Sequence, residues 1–154
     1  MNNAKESVKV MKKSTQTLMN EINSAKDAGT FLEENEEELL KVRFAEYVEG
    51  LMQKYKVTKG QLLKRAKLLT GSYRYEILRG EKSKPDRDIV IKLCFGMPLQ
   101  IEEAQRLLRL AGVPPLYPRN RRDAFILFAL KNGYDIDKTN DLLYENLENT
   151  IEYE

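Results

Sequence analysis

Residues 57–80 read VTKGQLLKRAKLLTGSYRYEILRG, and this stretch decides the fold because it predicts two short helices joined by a tight turn. Thr58 followed by Gln61 three residues later is a capping-box pattern, which begins the first helix. Apolar side chains then recur at helical spacing, at Leu62, Leu63 and Ala66. Helices this short bury too little surface to be stable alone, so we expect neighbouring helices to pack against them.

The second helix of the pair has an apolar face and a polar face. Thr70 is predicted to cap this helix, and Gly80 suits a left-handed helix end. Tyr73 and Ile77 lie one turn apart and are assigned to the core. The opposite face carries no aliphatic side chain and consists of Gly71, Ser72, Tyr75, Glu76 and Arg79. Such a face can enter the major groove of DNA, with Tyr75 rather than Tyr73 as the candidate for base contact.

The composition indicates a soluble globular protein of the all-α class. The chain has 154 residues, of which 42% are hydrophobic and 32% are charged. Alternation of β-branched and polar residues is nearly absent, which argues against strands. No apolar run is long enough for a membrane span, and no signal-peptide pattern follows the N-terminus, so we expect a cytoplasmic location. Cys94 lies in an apolar run and is expected to pack as a small hydrophobe.

The residue types present argue against an enzyme. The chain contains no histidine, which is the commonest general base and zinc ligand, and it has a single cysteine. Neither GxxxxGK[ST] nor GxGxxG occurs, so no loop for nucleotide phosphates is indicated. The carboxylates at 36–38 and 102–103 are typical of charged helix surfaces. We therefore expect no catalytic activity, no metal and no cofactor.

The formal charge of +2 conceals a segregation along the chain. Residues 56–92 carry eleven Lys or Arg against four Asp or Glu, a net charge of +7. Residues 135–154 carry seven Asp or Glu against one Lys, a net charge of −6. A charge block alone is usually a solvated face. Its coincidence with the predicted helix pair favours contact with DNA phosphates.

Three pieces of sequence follow one another in order: VTKGQLLKRA, TGSYRYEILRGEK and PDRDIVIKL. Together they resemble the lambda-repressor-like (Xre-type) helix-turn-helix regulators. Two later pieces, LQIEEAQRLLRLAG and LYPRNRRDAFILFAL, are similar to the tail of a bacterial subgroup of small regulators. The resemblance covers roughly residues 31–147. Arg74 stands where most relatives carry an aliphatic or small residue, and the turn is slightly longer than its commonest form.

The resemblance implies a fold and a function. Residues 31–112 are expected to form a helix-turn-helix bundle that binds DNA, after an arm at 1–30 that is either helical or disordered. Residues 113–154 are expected to add two helices packed on this bundle. The protein is then a sequence-specific transcriptional regulator that places the helix from Gly71 to Arg79 in the major groove of double-stranded DNA.

The predicted DNA interface divides into base-reading and phosphate-binding residues. Base edges are assigned to Thr70, Gly71, Ser72, Tyr75 and Glu76, because hydroxyl and carboxylate groups can bond to them. Phosphates are assigned to Lys59, Arg79, Lys82 and Lys84. The helix N-termini at Thr58 and Thr70 add backbone N–H donors for phosphate.

Other helix boundaries follow from caps and breakers. Asn35, with Glu38 at the third position, is predicted to begin a helix that runs towards Tyr55. Residues 27–30 indicate a break. The acidic tail after Glu145 is expected to fray.

Arg74 is expected at the edge of the helix packing, with its stem buried and its guanidinium outside, because an unpaired buried charge is costly.

A second basic cluster lies near Tyr117. It is expected to be solvated, with Asp123 as its local partner, in preference to binding phosphate or an acidic partner. Its members are Arg119, Arg121 and Arg122.

A homodimer is the expected functional unit, because one recognition helix reads only a few base pairs. The pairing surface is assigned to residues 114–147, which contain four consecutive apolar residues at 125–128. Packing of these residues back onto their own bundle is the other option. The alternative pairing surface is a heptad-like stripe near the N-terminus. Its members are Val8, Met11, Thr15, Leu18, Ile22 and Ala25.

Two other functions remain open at this point. A non-catalytic protein-interaction adaptor would use the same bundle and its segregated charges to dock an unidentified protein partner. An antitoxin would mask a toxin with its terminal segment.

Overall fold

The computed structural model describes residues 13–35, 43–80 and 85–152, and all regular secondary structure in these ranges is helical. The all-α prediction is therefore confirmed. In chain order the helices are α1 (Thr15–Ser24), α2 (Ala28–Glu34), α3 (Phe44–Tyr55), α4 (Lys59–Arg65), α5 (Tyr73–Leu78), α6 (Arg87–Phe95), α7 (Ile101–Leu110), α8 (Arg121–Lys131) and α9 (Ile136–Glu145).

The core is organised around α6, which packs against α4 and α7. Val90, Ile91 and Leu93 of α6 are fully buried. Helix α3 contacts α5 and α7, and α8 joins α7 to α9. Because α5 rests on α3 while α4 rests on α6, neighbouring helices hold both members of the predicted pair.

Gly96, directly after α6, allows α4 to approach closely. A Cβ at this position would lie 2.3 Å from Leu62 Cδ1 and 3.0 Å from the Leu62 carbonyl oxygen. Cys94 is buried nearby, as predicted, and burial raises the pKa of its thiol to about 12. The thiol is therefore neutral at physiological pH.

The C-terminal helices share their core with the preceding bundle. Ile126, Leu143 and Ile151 belong to the same hydrophobic cluster as Leu51 and Leu107. The four consecutive large apolar residues of α8, at 125–128, divide between the core and the protein surface. Ile126 is fully buried, its neighbours at 125 and 127 pack against the core, and Phe128 remains 52% exposed.

The prediction that the acidic tail frays is wrong for residues 146–152. The backbone N–H of Ile151 donates to Asn140 Oδ1 at 2.7 Å, and Asn140 Nδ2 donates to the Ile151 carbonyl at 2.8 Å. Arg122 Nε also donates to the Asn149 carbonyl at 2.7 Å. Ile151 is fully buried, so its transfer from water adds to the stability of this paired end.

The predicted helix start at Asn35 is also wrong. Asn35 is the C-cap of α2, and its Nδ2 donates to the Phe31 carbonyl at 3.1 Å. Its Oδ1 accepts from Lys13 Nζ at 2.7 Å, so the asparagine closes α2 and ties it to the segment that precedes α1. Helix α3 begins only at Phe44. Glu38, the other half of the predicted capping box, lies outside the described residues.

Helices α1 and α2 follow each other directly at the N-terminal end, separated by Ala25, Lys26 and Asp27. The break predicted at 27–30 lies earlier, between Ser24 and Ala28. Asp27 caps α2 by accepting from the Thr30 backbone N–H at 2.7 Å. No described residue before Phe44 belongs to the hydrophobic core cluster. In the predicted heptad-like stripe, Ile22 is 51% exposed. Its members Val8 and Met11 lie outside the described residues.

Candidate nucleic-acid interface

The predicted capping box fixes the start of α4. The Thr58 hydroxyl accepts from the Gln61 backbone N–H at 3.1 Å, and Gln61 Oε1 accepts from the Thr58 backbone N–H at 3.0 Å. Leu62 and Leu63 are buried, whereas Lys59 is exposed. The apolar side of α4 therefore faces the core and leaves Lys59 in solvent at the first turn.

The turn after α4 begins at a left-handed residue. Lys67 has a φ of 56°, and its backbone N–H donates to the Lys64 carbonyl at 3.1 Å. The next N–H, that of Leu68, reaches back to the Leu63 carbonyl at 2.9 Å. These two bonds make the Schellman motif that commonly ends a helix. The fully buried side chain of Leu68 anchors the turn to the core.

The start of α5 differs from the prediction, because Thr70 does not cap it. The helix begins at Tyr73 and its N-cap is Ser72. Gly71 lies between the predicted and observed caps with a φ of +85°, a left-handed conformation that delays the helix. Ser72 makes no side-chain capping bond, so its exposed hydroxyl is not used to close the helix.

Helix α5 has a buried face and an exposed face. Ile77 and Leu78 are buried, and Tyr73 packs against the core as predicted. Among the candidate base-reading residues, Glu76 is half-buried and the others are exposed, namely Thr70, Gly71, Ser72 and Tyr75. Three of them precede α5 and two lie in its first turn, with the part-buried Tyr73 and Arg74 between the two groups. Arg79, just after the helix, is also exposed.

The predicted outward position of the Arg74 guanidinium is wrong. Arg74 Nη1 donates to the Leu68 carbonyl at 3.1 Å, and the guanidinium carbon lies 4.8 Å from the centre of the Tyr75 ring. Its Nε is buried and has no hydrogen-bond partner within the described residues. The guanidinium turns inward because the carbonyl of the buried Leu68 needs a donor. Arg74 therefore joins α5 to the turn that follows α4.

Exposed cations on α4 extend the candidate phosphate-binding surface. Lys64 and Arg65 are exposed beside the buried Leu62–Leu63 pair, as is Lys59 at the start of the helix. The sequence prediction did not assign Lys64 and Arg65 to phosphates, although the burial of the two leucines before them indicates an outward position. Lys82 and Lys84 of the predicted set lie outside the described residues.

Arg122 of the second basic cluster has a structural role that the sequence prediction missed, whereas Arg119 and Arg121 are exposed as predicted. Arg122 donates to both carboxylate oxygens of Asp88, at 3.1 and 2.9 Å, and Arg87 donates to both oxygens of Asp123, at 3.0 and 2.8 Å. Two adjacent residues of α6 thus pair crosswise with two adjacent residues of α8. Asp123 is bound to Arg87 rather than to the arginines beside it in sequence.

The environment of Asp123 favours its ionised form. Burial acts to raise the pKa of this carboxyl, but the Arg87 guanidinium and the Tyr117 backbone N–H more than offset it. The pKa of Asp123 therefore lies below its ordinary value. Bidentate pairs of this kind are geometrically specific, and they fix the start of α6 against α8.

No protein-family model, curated protein or solved structure matches this chain. Within the described ranges, no helix is both long and apolar enough to cross a membrane. The same ranges contain no cluster of three or more His, Cys, Asp or Glu side chains placed to bind a metal ion.

Proposed function

We propose that the protein is a sequence-specific DNA-binding transcriptional regulator of the lambda-repressor-like helix-turn-helix type. In this proposal α4 lies across the DNA backbone, and α5 enters the major groove together with residues 70–72, which precede it. The observation that carries the proposal is the exposure of Thr70, Gly71, Ser72 and Tyr75 at and just before the start of α5, a short helix whose other face is buried against α3.

The base contacts come from the first turn of α5 and the residues before it. The Ser72 hydroxyl can donate to or accept from a base edge, and the half-buried Glu76 carboxylate can accept from cytosine N4. Tyr75 offers both a ring and a hydroxyl. Its ring is held near the Arg74 guanidinium, so it meets the DNA in a restricted orientation, which lowers the entropic cost of binding.

The phosphate contacts come from exposed cations around this stretch. Lys59, Lys64 and Arg65 project from α4, and Arg79 follows α5. Lys82 and Lys84 follow in sequence and are assigned the same role. Each phosphate that a lysine or arginine neutralises releases a counterion, so binding should weaken steeply with added salt.

A salt titration of the full chain against a mixed-sequence duplex tests the proposal. We expect the logarithm of the association constant to fall linearly with the logarithm of salt concentration. Lys59→Ala should lower the affinity for all sequences alike and reduce the slope by about 1. Lys26→Ala, which removes an exposed lysine between α1 and α2, is the matched control and should leave both unchanged. A duplex affinity that does not respond to salt would contradict the proposal.

We also propose that the protein acts as a homodimer, because two half-sites give the specificity that one short helix lacks. Two exposed apolar regions are available for pairing. One lies on α1 and α2 and includes Met19, Ile22 and Leu32, and the other includes Phe128 on α8. Sedimentation of the wild-type chain and of the variants Ile22→Ser and Phe128→Ser should show which region forms the dimer interface, because the dimer is lost when that region is changed. A wild-type chain that stays monomeric with and without DNA would exclude the proposed homodimer.

A protein-interaction adaptor is the second candidate function, and one observation favours it. The acidic C-terminal segment exposes two large apolar side chains, since Tyr144 is 77% and Leu147 is 93% exposed. Such residues beside acidic groups suit a basic amphipathic partner. An adaptor would show no steep salt-dependent binding to DNA, and an antitoxin would copurify with a toxin encoded beside it.

A further inference from the structure

A cleft of about 1100 Å³ opens between three parts of the fold. Its walls are the C-terminal half of α4, the turn between α6 and α7, and the turn between α8 and α9. Pockets that bind small molecules usually have volumes of about 300–1000 Å³, so this cleft is large enough for such a ligand.

One part of the cleft is apolar and aromatic. Met97 and Leu99 line it and are buried, and the rings of Phe95 and Tyr134 are half-buried in its wall. The Tyr134 ring is held on two sides. The Phe128 ring meets it edge to face with centroids 5.9 Å apart, and Lys138 Nζ lies 4.1 Å from its centre. This part of the cleft therefore offers an apolar and aromatic surface for a flat apolar group.

The lining of the same cleft includes cations that have no ion-pair partner in the described part of the chain. Lys64, Arg65 and Lys131 line it, are exposed, and have no ion-pair partner within the described ranges. The fourth cation, Lys67, is paired with Asp137 at 3.4 Å. Lys64 and Arg65 lie on α4, and Lys131 is the last residue of α8. The three unpaired cations therefore line the cleft from two separate helices.

The carboxylates at the rim are mostly engaged within the protein. Asp137 pairs with Lys67, and Asp135 accepts from the Lys138 backbone N–H at 2.8 Å as the cap of α9. Glu102, exposed in the first turn of α7, is the remaining acidic residue of the lining. A hydrogen bond from a backbone N–H leaves the charge of Asp135 in place, so the lining as a whole has four cations and three carboxylates, a net charge of +1.

We propose that this cleft binds a small organic anion with an aromatic or apolar body. The anionic group, a phosphate, sulfonate or carboxylate, pairs with Lys64, Arg65 and Lys131, and the body lies on Tyr134 and Met97. Such a ligand bridges α4 to the α8–α9 turn. If the chain regulates transcription as proposed above, the cleft is an effector site, but the binding itself does not depend on that function.

A fluorescence titration with 1-anilinonaphthalene-8-sulfonate, which combines an aromatic body with a sulfonate, tests the inference on the full chain. We expect one saturable site, weakened about tenfold or more by Arg65→Glu and by Lys131→Glu. Arg119→Glu, which reverses an exposed charge in the loop before α8, should leave the affinity unchanged. Equal effects of all three variants, or no effect of any, would overturn the assignment of this cleft.

The methionine methyl resonances locate the probe. The Met97 methyl should shift on titration because Met97 lines the cleft, whereas Met52 on α3 packs elsewhere against the core and should not shift. A shift confined to the exposed Met19, or one that Arg65→Glu does not weaken, would mean non-specific apolar binding and would contradict the inference.

Competition with DNA separates this inference from the proposed function. A short duplex should compete with the probe if both proposals hold, because Lys64 and Arg65 are assigned to DNA phosphates as well. A duplex that binds with steep salt dependence but leaves the probe affinity unchanged at saturation would contradict this shared assignment. A chain that binds the probe at Met97 but binds no DNA would leave the cleft assignment standing while the proposed function fails.

Discussion

The guanidinium of Arg74 donates a hydrogen bond of 3.1 Å to the carbonyl of Leu68, so α5 is bonded through a side chain to the turn that precedes it. Leu68 is fully buried, and its N–H closes the end of α4 through the Leu63 carbonyl. Arg74 therefore adds a direct bond between α5 and the end of α4 to the packing of α5 on α3. In the proposed function that orientation sets which residues reach the bases.

Replacement of Arg74 tests this relationship. Arg74→Met keeps an unbranched stem but removes the donor to Leu68, and it should lower the free energy of unfolding by about 1–2 kcal/mol. The loss is limited because the substitution also removes the buried Nε, which has no partner within the described residues. Urea unfolding measures the difference. Arg65→Met, at an exposed arginine on α4, should change stability by no more than about 0.5 kcal/mol. Equal losses in both variants would contradict the assigned role.

The C-terminal segment provides a second test of the fold. Ile151→Ala should lower the free energy of unfolding by about 2–5 kcal/mol, because Ile151 is fully buried in the shared core. Thermal unfolding of the full chain is the measurement. Leu147→Ala is the matched control, since Leu147 is 93% exposed and its removal should cost no more than about 0.5 kcal/mol. A tolerated Ile151→Ala would mean that the tail frays after all.

Acid should destabilise the protein through Asp123. Its pKa is lower in the folded chain than in the unfolded one, so its contribution to stability is fully present above its unfolded pKa of about 3.9. That contribution is lost as the pH falls through the lower folded value. Asp123→Asn should lower stability at neutral pH by about 2–4 kcal/mol, because it leaves Arg87 without its carboxylate.

Below about pH 4 the stability of Asp123→Asn should fall less steeply than that of the wild type, because the variant has no carboxyl at this position to protonate. The decline is reduced rather than abolished, because Glu103 contributes as well. Burial acts to raise the pKa of Glu103, but hydrogen bonds from Lys54 and Tyr55 hold that pKa below its ordinary value. Urea unfolding across this pH range is the measurement, with Asp141→Asn on the exposed side of α9 as the control. Parallel pH curves for wild type and Asp123→Asn would refute the assignment.

Local sequence signals predicted much of the fold. The capping box of Thr58 and Gln61 was readable because both partners lie within one helical turn. The inward direction of Tyr73 and Ile77 followed from their spacing. These features depend on neighbouring residues, so a single sequence contains the information needed to predict them.

The errors arose where distant contacts or a left-handed backbone conformation decide the outcome. Asn140 pairs with Ile151, and this pairing orders a tail whose composition indicates fraying. Asn35 resembles an N-cap in sequence, but its contacts with Lys13 and Phe31 make it the end of α2. The predicted cap at Thr70 is wrong because Gly71 is left-handed, and the cap lies two residues later, at Ser72. The cleft beside α4 was not predicted because its lining comes from three separate parts of the chain.

The central claim is that α5 and its approach read DNA sequence, and selection from a library of random duplexes tests it most directly. The full chain should enrich a definite short motif. Lys59→Ala should enrich the same motif with weaker binding, because phosphate contacts carry no sequence information. Ser72→Ala and Tyr75→Ala should change the preferred bases at particular positions. Failure of the wild-type chain to enrich any motif, or an unchanged motif in both Ser72→Ala and Tyr75→Ala, would contradict the claim.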